Sequence, residues 1–460
     1  MTNPGNSAAS RDIAYHLHPY TNLKTLPDTG PLVMTHGEGV RVFDEQGHGY
    51  IEGLAGLWCT ALGFSEPRLI DAATREMKRL PFYHSFGGKA PDVTIDLAEK
   101  LITMAPEGLS KVFFANSGSE ANDTAIKIIW YFNNALGRPE KKKIISRIKG
   151  YHGVTVASGS LTGLPNNHRD FDLPIDRILH APCPHHYRFG QPGESEEAFA
   201  TRCAEELEKM ILDEGPETVA AFFAEPVMGA GGVITPPVTY FEKIQAVLKR
   251  YDVLLLADEV ICGFGRTGNL WGCETYGIKP DMMSVAKALS SAYLPISALM
   301  ISDRVFSAIQ ERAGEIGIFG HGYTYGGHPV SAAVALETLR IYEERDIVQR
   351  VRAVAPRLQD GLRRLGGHEL VGEARGIGLI GGLEMVKNKE TREPFAASDG
   401  VGAYISNRLQ AHGVITRVIV DTIAFAPPLI ISEDEIDALL DATARALDDT
   451  LEWVRGKGLV

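Results

Sequence analysis

The sequence predicts an α/β protein in which a mainly parallel sheet is covered by helices. From about Leu109 onward, short apolar runs rich in β-branched residues alternate with longer amphipathic segments. The apolar runs are almost uninterrupted, as expected of strands buried on both faces. With 44% hydrophobic and 23% charged residues, the composition is that of a globular protein. It argues against disorder, a coiled coil and a collagen-like chain.

Six apolar runs are predicted as strands of this sheet. They are 111–115, 143–146, 219–223, 253–257, 282–285 and 298–301. A helix is expected to begin after Ser117, because apolar residues recur at helical spacing between Ala121 and Phe132. Gly137 is expected to end it.

The length of 460 residues predicts about two domains. We expect residues 61–330 to form a large domain and residues 331–460 a smaller α+β domain. Beyond Pro329 the sequence predicts a long helical stretch, then short strands with glycine-rich turns, and an acidic helix from Ser432. Residues 1–60 are expected to pack on the smaller domain.

Charge and apolar content narrow the class of protein further. Lys and Arg number 46 and Asp and Glu number 58, so the formal net charge is 46 − 58 = −12, which argues against non-specific nucleic-acid binding. No apolar run approaches ~20 residues and the N-terminus has no secretory pattern, so neither a membrane span nor export is expected. The five scattered cysteines lack a Cys-x-x-Cys pair, as expected for reduced thiols in the cytoplasm.

Polar and charged residues follow several predicted strands at the point where each strand ends. A Ser-Gly-Ser turn, 117–119, follows the first strand. Glu225, Asp258 and Lys287 follow the third, fourth and fifth. Because ligands of open α/β sheets collect at the carboxyl ends of strands, we expect these groups to share one site.

Each group also has an ordinary structural explanation. Ser117, Gly118 and Ser119 either offer free N–H groups and hydroxyls to a phosphate, or simply cap a helix. Lys287 is either a desolvated lysine of lowered pKa, as Schiff-base chemistry requires, or a lysine that reaches solvent. Asp258 either caps the next helix or holds a pyridinium nitrogen protonated. In this chain order the set favours pyridoxal 5′-phosphate as cofactor.

Longer motifs surround these residues. They are NSGSEAN at 116–122, YHG at 151–153, EPV at 225–227, LLLADEVICGFGRTG at 254–268, AKAL at 286–289 and YTYGGHP at 323–329. Through them, from about Tyr20 to Ile431, the sequence resembles the class III or omega aminotransferases, which are pyridoxal-phosphate enzymes of fold type I. The branch that it resembles most pairs amines or omega-amino acids with pyruvate.

The resemblance implies a role for each motif residue. Lys287 would be the Schiff-base lysine that also moves the substrate proton, and Asp258 the carboxylate on the pyridinium nitrogen. Ser117, Gly118 and Ser119 would bind the phosphate of the cofactor.

Further cofactor-binding residues are implied in the same way. Tyr151 and Val260 would cover the two faces of the cofactor ring, His152 would lie beside them, and Glu225 would balance charge. Thr324 would reach the phosphate from the neighbouring subunit, which implies a homodimer or larger assembly with shared active sites.

One arginine near the C-terminus suits substrate binding. Arg417 lies in an apolar strand, and its guanidinium can hold a carboxylate in two hydrogen bonds; alternatively, it is an edge-strand arginine that faces water. By resemblance, Arg417 pairs with a keto acid and swings aside for an apolar amine. Trp58 and Tyr20 would line the pocket, and Phe86 would enter from the partner chain; without the resemblance all three aromatics read as core.

Two motifs point to other chemistry. Residues 263–268 match the G-x-G-x-x-G dinucleotide fingerprint, but glycines interrupt the helix that should follow, so we reject it. His180, Cys183, His185 and His186 are potential metal ligands, yet they lie in a proline-containing loop without paired ligands elsewhere, so no metal is expected. Ala288 and Ala292 replace glycines of many relatives and put the substrate range in doubt.

The predicted function is a ping-pong aminotransferase that takes an amino group from an amine or omega-amino acid and gives it to a small keto acid, pyruvate above all. A decarboxylating transaminase or an aminomutase is the alternative on the same fold. A non-catalytic small-molecule binding protein is the rival from another class. The donor itself, whether taurine, β-alanine, a polyamine or an arylalkyl amine, is left open.

Overall fold

Short strands and longer helices alternate through residues 5–460, the part of the chain that a computed structural model describes. The strands are β1 (Met34–Glu38), β2 (Arg41–Asp44), β3 (Gly49–Glu52), β4 (Leu109–Ala115), β5 (Lys143–Arg147), β6 (Ile178–Ala181), β7 (Val219–Ala224), β8 (Leu254–Asp258), β9 (Met282–Val285), β10 (Ser297–Ser302), β11 (Val371–Ile377), β12 (Ile380–Met385), β13 (Val414–Ile415), β14 (Arg417–Ile419) and β15 (Thr422–Phe425).

Helices fill the stretches between them. They are α1 (Ala8–Tyr15), α2 (Leu26–Thr29), α3 (Ala55–Trp58), α4 (Pro67–Arg79), α5 (Asp92–Met104), α6 (Gly118–Ala135), α7 (Val156–Leu161), α8 (His186–Phe189), α9 (Glu196–Glu214), α10 (Tyr240–Arg250), α11 (Gly272–Tyr276), α12 (Asp303–Ile316), α13 (Pro329–Glu344), α14 (Ile347–Leu365), α15 (Val401–Ala411) and α16 (Glu433–Gly456). No helix in the described part of the chain combines the length and hydropathy that a membrane crossing needs.

The central sheet has the strand order β4-β10-β9-β8-β7-β5-β6. β10 runs antiparallel to both of its neighbours, and the remaining pairs are parallel. The six predicted strands correspond to β4, β5, β7, β8, β9 and β10, so the predicted α/β class with a mainly parallel sheet is confirmed. β6, which leads into the proline-containing loop, was not predicted.

The apolar runs form strands because both faces of the sheet are covered. Neighbouring residues of one strand pack into different apolar clusters: Leu255 lies in the larger cluster, and Leu254 and Leu256 lie in the cluster on the other face. Every residue of β7, β8 and β9 is buried. A polar residue at the end of such a strand is therefore held in place by a rigid, dry sheet.

Strands from both ends of the chain pair with each other. β3 pairs in parallel with β13, with Ile51 opposite Val414, within the sheet β1-β2-β3-β13. A second sheet has the order β11-β12-β15-β14. The predicted C-terminal helix begins as expected, since Ser432 and Glu435 form a capping box at the start of α16. The domain bounds 1–60, 61–330 and 331–460 stay a prediction, and residues 1–4 lie outside the described residues.

The glycine-rich segment 263–268 connects the central sheet to the C-terminal strands. Arg266 is buried, and its guanidinium donates hydrogen bonds to the carbonyl oxygens of Leu379 at 2.9 Å and Pro427 at 2.5 Å. The helix that follows, α11, has only five residues. This segment thus lacks the long helix that a dinucleotide fingerprint opens.

Candidate active site

A cavity opens at the edge of the central sheet where β5, β7, β8 and β9 end. Most of the predicted cofactor-binding residues line it together. The lining residues are Gly118, Ser119, Asn122, Tyr151, His152, Gly153, Glu225, Asp258, Val260, Ile261, Ala286 and Lys287. Ser117 lies just beside this set, in a neighbouring pocket that also contains Lys287.

Asp258, the last residue of β8, is buried and held by three donors. His152 donates from Nδ1 to Oδ2 at 2.8 Å, Asn122 donates from Nδ2 to the same oxygen at 2.9 Å, and the Val260 amide donates to Oδ1 at 3.1 Å. Burial alone would raise the pKa of Asp258, but these hydrogen bonds and the adjacent imidazole hold the pKa below its usual value. Asp258 therefore stays ionised although it is buried.

Lys287 lies two residues beyond β9, at the start of a short 3₁₀ turn. Its φ angle is +48°, a left-handed conformation that an L-residue adopts only when its surroundings require it. Burial lowers the pKa of the Lys287 ammonium, and the nearby Asp258 carboxylate opposes that shift. A lysine with a lowered pKa is the form that acts as a nucleophile and moves protons.

The predicted phosphate turn begins helix α6. Ser117 is the N-cap residue, and its Oγ accepts a hydrogen bond from the Glu120 amide at 3.2 Å. The amides of Gly118 and Ser119 have no acceptor among the described residues. Two free N–H groups at the start of an 18-residue helix suit an anion.

Glu225 is buried beside Tyr151, which is predicted to cover one face of the cofactor ring. Its Oε1 accepts a hydrogen bond from the Tyr151 amide at 2.9 Å, and its Oε2 accepts one from the Gly229 amide at 3.0 Å. Arg147, fully buried, donates to the Glu225 carbonyl oxygen at 2.6 Å. Burial raises the pKa of Glu225. Tyr151 and Val260 line the same cavity, as the predicted covers of the two ring faces should.

A second, larger cavity of about 610 Å³ meets the first at Tyr151, Ile261 and Lys287. The predicted substrate residues Tyr20, Trp58 and Arg417 all line it.

Arg417 lies on the wall of the second cavity beside Tyr20. Its guanidinium lies 5.8 Å from the centre of the Tyr20 ring, and it has no carboxylate partner among the described residues. Trp58 is 3% exposed, and its indole nitrogen has no hydrogen-bond partner among them. The cavity thus combines aromatic walls with an unpaired guanidinium.

Two predicted site residues lie elsewhere in this chain. Thr324 is exposed and Phe86 is 49% exposed, and neither lines the two cavities. They are near each other, because a Cβ placed on Gly322 would lie 2.9 Å from the Phe86 ring. Both were predicted to act in the partner's site, so their distance from this chain's own cavity agrees with that prediction without testing it.

The sequence prediction missed Asn122 and Glu52. Asn122 is a polar residue on the apolar face of α6, and that position was the available signal. Glu52 is 6% exposed, lines the second cavity and accepts a hydrogen bond from the Leu54 amide at 3.1 Å. Burial raises the pKa of Glu52 to about 7. Nothing in its local sequence distinguishes it from a surface residue.

The three histidines of the 180–186 loop contact different residues. His185 Nε2 lies 2.8 Å from a Glu373 carboxylate oxygen, and His186 Nε2 lies 2.8 Å from the Glu194 carbonyl oxygen. His180 packs against His168, with ring centres 5.6 Å apart.

The first cavity fits pyridoxal 5′-phosphate on several counts. Free amides at the start of α6 suit the phosphate, ionised Asp258 suits a pyridinium nitrogen, and Lys287 suits an aldehyde carbon. Two buried polar atoms on this cavity, His152 Nε2 and Asn122 Oδ1, have no partner among the described residues. Buried polar atoms are rarely left unpaired, so these also indicate a bound polar group.

The chain is similar to known proteins over most of its length. A family model described as aminotransferase class-III matches residues 26–447. The chloroplastic gamma aminobutyrate transaminase 3 of Solanum lycopersicum is 54% identical over 435 residues, which cover 94% of this chain and 84% of the relative.

Solved structures match over nearly the whole chain. The omega transaminase of Pseudomonas jessenii in complex with PMP has a TM-score of 0.96 and 56% identity, covering 97% of this chain and 99% of that one. A thermostable omega transaminase variant, with a tryptophan, a phenylalanine and an arginine replaced for synthesis of enantiopure bulky amines, also has a TM-score of 0.96, with 55% identity and coverage of 97% and 100%. A transaminase with L-ala has a TM-score of 0.91 and 58% identity, covering 92% and 100%.

Proposed function

This chain belongs to the class III aminotransferase family, and within that family we propose that it moves an amino group from an amine or omega-amino acid to a small keto acid, with pyruvate as acceptor. The enzyme uses pyridoxal 5′-phosphate and has the fold of the omega transaminases, so the predicted family, fold and cofactor are confirmed. A non-catalytic binding protein is thereby excluded.

The observation that carries the proposal is the position of Arg417 relative to Lys287. Both line the 610 Å³ cavity, and Arg417 has no carboxylate partner among the described residues. An unpaired guanidinium in a partly apolar cavity suits bidentate binding of a carboxylate. The aromatic walls of Tyr20 and Trp58 suit an apolar amine in the same space.

The curated relatives and the structural neighbours each support part of the proposed substrate range. Gamma-aminobutyrate, named in the curated relative, is an omega-amino acid, whose carboxylate Arg417 would bind. L-alanine, named in a structural neighbour, is the amino form of pyruvate. The neighbour engineered for synthesis of enantiopure bulky amines has a tryptophan, a phenylalanine and an arginine replaced, and this chain has Trp58 and Arg417 on its cavity.

Each residue of the site has its own role in the proposed amino-group transfer. When bound, pyridoxal 5′-phosphate supplies an electron sink that stabilises negative charge on the substrate carbon. Ionised Asp258 would hold the ring nitrogen of the cofactor protonated. Lys287, whose pKa is lowered by burial, would accept the proton from the substrate carbon at Nζ and return it. Arg417 orients the substrate carboxylate, and Trp58 and Tyr151 exclude water.

A matrix of donors against acceptors tests the proposal. Gamma-aminobutyrate, β-alanine, taurine, putrescine and an arylalkyl amine are each incubated with pyruvate, glyoxylate or 2-oxoglutarate, and the amino acid formed is measured. We expect alanine from at least one omega-amino donor and pyruvate. Transfer to 2-oxoglutarate alone would contradict the choice of acceptor, and carbon dioxide release from the donor would favour the decarboxylating alternative.

We also propose a homodimer or larger assembly with shared active sites, supported by the exposure of Thr324 and Phe86. Cytoplasmic localisation stays a prediction, since the tomato relative is chloroplastic.

A further inference from the structure

Three potential metal ligands come together near the N-terminus, outside the site described above. Asp12 lies in helix α1, His16 is its C-cap residue, and His18 lies in the segment that follows. His16 Nδ1 is 3.0 Å from Asp12 Oδ1, and His18 Nε2 is 2.6 Å from Asp12 Oδ2. The two imidazole rings have centres 4.2 Å apart.

We propose that Asp12, His16 and His18 bind a late first-row divalent metal ion, with Zn²⁺ as the ion expected. Two imidazoles and one carboxylate form a donor set that suits such ions. The ligand atoms all lie within 4.8 Å of one another. Because Zn–N and Zn–O distances are about 2.0–2.2 Å, two ligands of one ion lie at most about 4.4 Å apart, so small side-chain rotations complete the site.

The hydrogen bonds within the cluster can be replaced by bonds to a metal ion. Asp12 only accepts, so both histidines donate to it from the nitrogens that face it. A neutral imidazole can move its proton to the other ring nitrogen, which turns the facing nitrogen into a metal ligand without net proton release.

A second cluster, His185, Glu373 and Glu384, shows what disfavours a metal ion. There the Arg375 guanidinium pairs with both carboxylates, at 2.6 Å from Glu384, so a divalent ion would have to displace a buried cation. The cluster around Asp12 contains no such cation among its ion pairs. Its side chains are 20–58% exposed, which leaves room for water as the remaining ligands.

Metal binding there would affect the substrate cavity. His18 is followed by Pro19 and Tyr20, which line the second cavity. An ion shared by Asp12 and His18 would fix α1 to this wall of the cavity.

Titration of Zn²⁺ into tag-free holoenzyme by isothermal calorimetry tests the proposal. We expect one saturable site per chain. Loss of a residue that only hydrogen-bonds to a metal ligand weakens metal binding about 10–100-fold. Because His16→Gln with His18→Gln removes two direct ligands, it should raise the Kd for Zn²⁺ by at least that much. His48→Gln is the matched control, because His48 pairs with Asp44 at 3.1 Å as a single exposed histidine. It should leave the Kd unchanged.

Co²⁺ provides a second measurement that needs no variant. Its visible absorption on wild-type holoenzyme should show nitrogen and oxygen ligands, without the intense sulfur-to-metal bands that binding at a cysteine such as Cys59 would give. The proposal is wrong if the wild type has no saturable site, if the double variant keeps the wild-type Kd, or if the Co²⁺ spectrum shows thiolate ligands. Transaminase activity does not enter these outcomes, so they are independent of the proposed function.

Discussion

The charge of Asp258 depends on the residues that donate hydrogen bonds to it. Burial favours the neutral carboxylic acid, and hydrogen bonds from His152, Asn122 and the Val260 amide favour the carboxylate. Because the folded-state pKa is lowered, the stability contributed by ionised Asp258 is present above the ordinary carboxyl pKa and is lost as the pH falls through the lowered pKa. The same protonation should end activity on the acid side.

Burial raises the pKa of Asp258, and His152→Ala removes the side-chain hydrogen bond that lowers it most. A hydrogen bond to a charged group contributes about 1.5–3 kcal/mol, so we expect the acid limb of kcat/KM to move up by about 1–2 pH units. His152→Asn places an amide donor near the position of Nδ1 and should move the limb less. An unchanged limb in both variants would show that His152 does not set the charge of Asp258.

Arg417 should act on the carboxylate substrate alone. Arg417→Ala removes a charge-assisted pair of about 1.5–3 kcal/mol, so we expect the KM for pyruvate to rise about 10–100-fold while the KM for an apolar arylalkyl amine changes little. Steady-state kinetics with each substrate varied in turn measures this. Arg363→Ala, an exposed arginine paired with Asp360, is the matched control. Equal effects on both substrates would contradict the assigned role.

The loop after Tyr151 packs closely against the start of α6 at Gly153. Gly153 has φ +137°, and a Cβ there would lie 2.2 Å from Ser158 Oγ and 2.6 Å from Ser119 Oγ. Gly153→Ala must therefore shift Ser158, or Ser119 of the phosphate turn, or both. We expect a loss of about 1–3 kcal/mol in the free energy of unfolding, measured with urea, together with weaker binding of pyridoxal 5′-phosphate.

Gly314→Ala is the matched control for Gly153→Ala. Gly314 lies within α12, and a Cβ there would have no heavy atom within 4 Å. This substitution should stabilise by up to about 1 kcal/mol. If Gly153→Ala behaved like Gly314→Ala, the packing at Gly153 would not constrain the turn.

The polar residues at the strand ends could be located from the sequence, because each apolar run ends in a polar group and parallel strands bring those ends to one edge. It could not place Asn122 beside Asp258, since that contact depends on which face of α6 turns toward the sheet. It also missed the left-handed backbone at Ala55 and Trp58, with φ angles of +51° and +65°. Only the packing around α3 imposes that conformation.

At the scale of the whole molecule, shared active sites make a distinct prediction. Lys287→Ala and Thr324→Asp should each be inactive alone, and a mixture of the two should regain activity. Random exchange makes half of the dimers hybrid, each with one intact site of two, so about a quarter of wild-type activity is expected.

Mixing is followed by sedimentation and by native mass spectrometry. A chain carrying both substitutions serves as the control and should rescue neither single variant. Monomers in sedimentation, or hybrid dimers without activity, would contradict the proposed sharing of sites.

Lys287 is proposed to carry the amino-group transfer of this enzyme. The most direct measurement follows the visible absorbance of the bound cofactor in the holoenzyme, first on adding gamma-aminobutyrate or another donor and then on adding pyruvate. We predict that the absorbance falls with the donor and returns with pyruvate in the wild type. Lys287→Ala should be slower by at least about 10²–10⁴-fold, as expected for loss of the group that moves the proton. Turnover of Lys287→Ala at the wild-type rate would contradict the account.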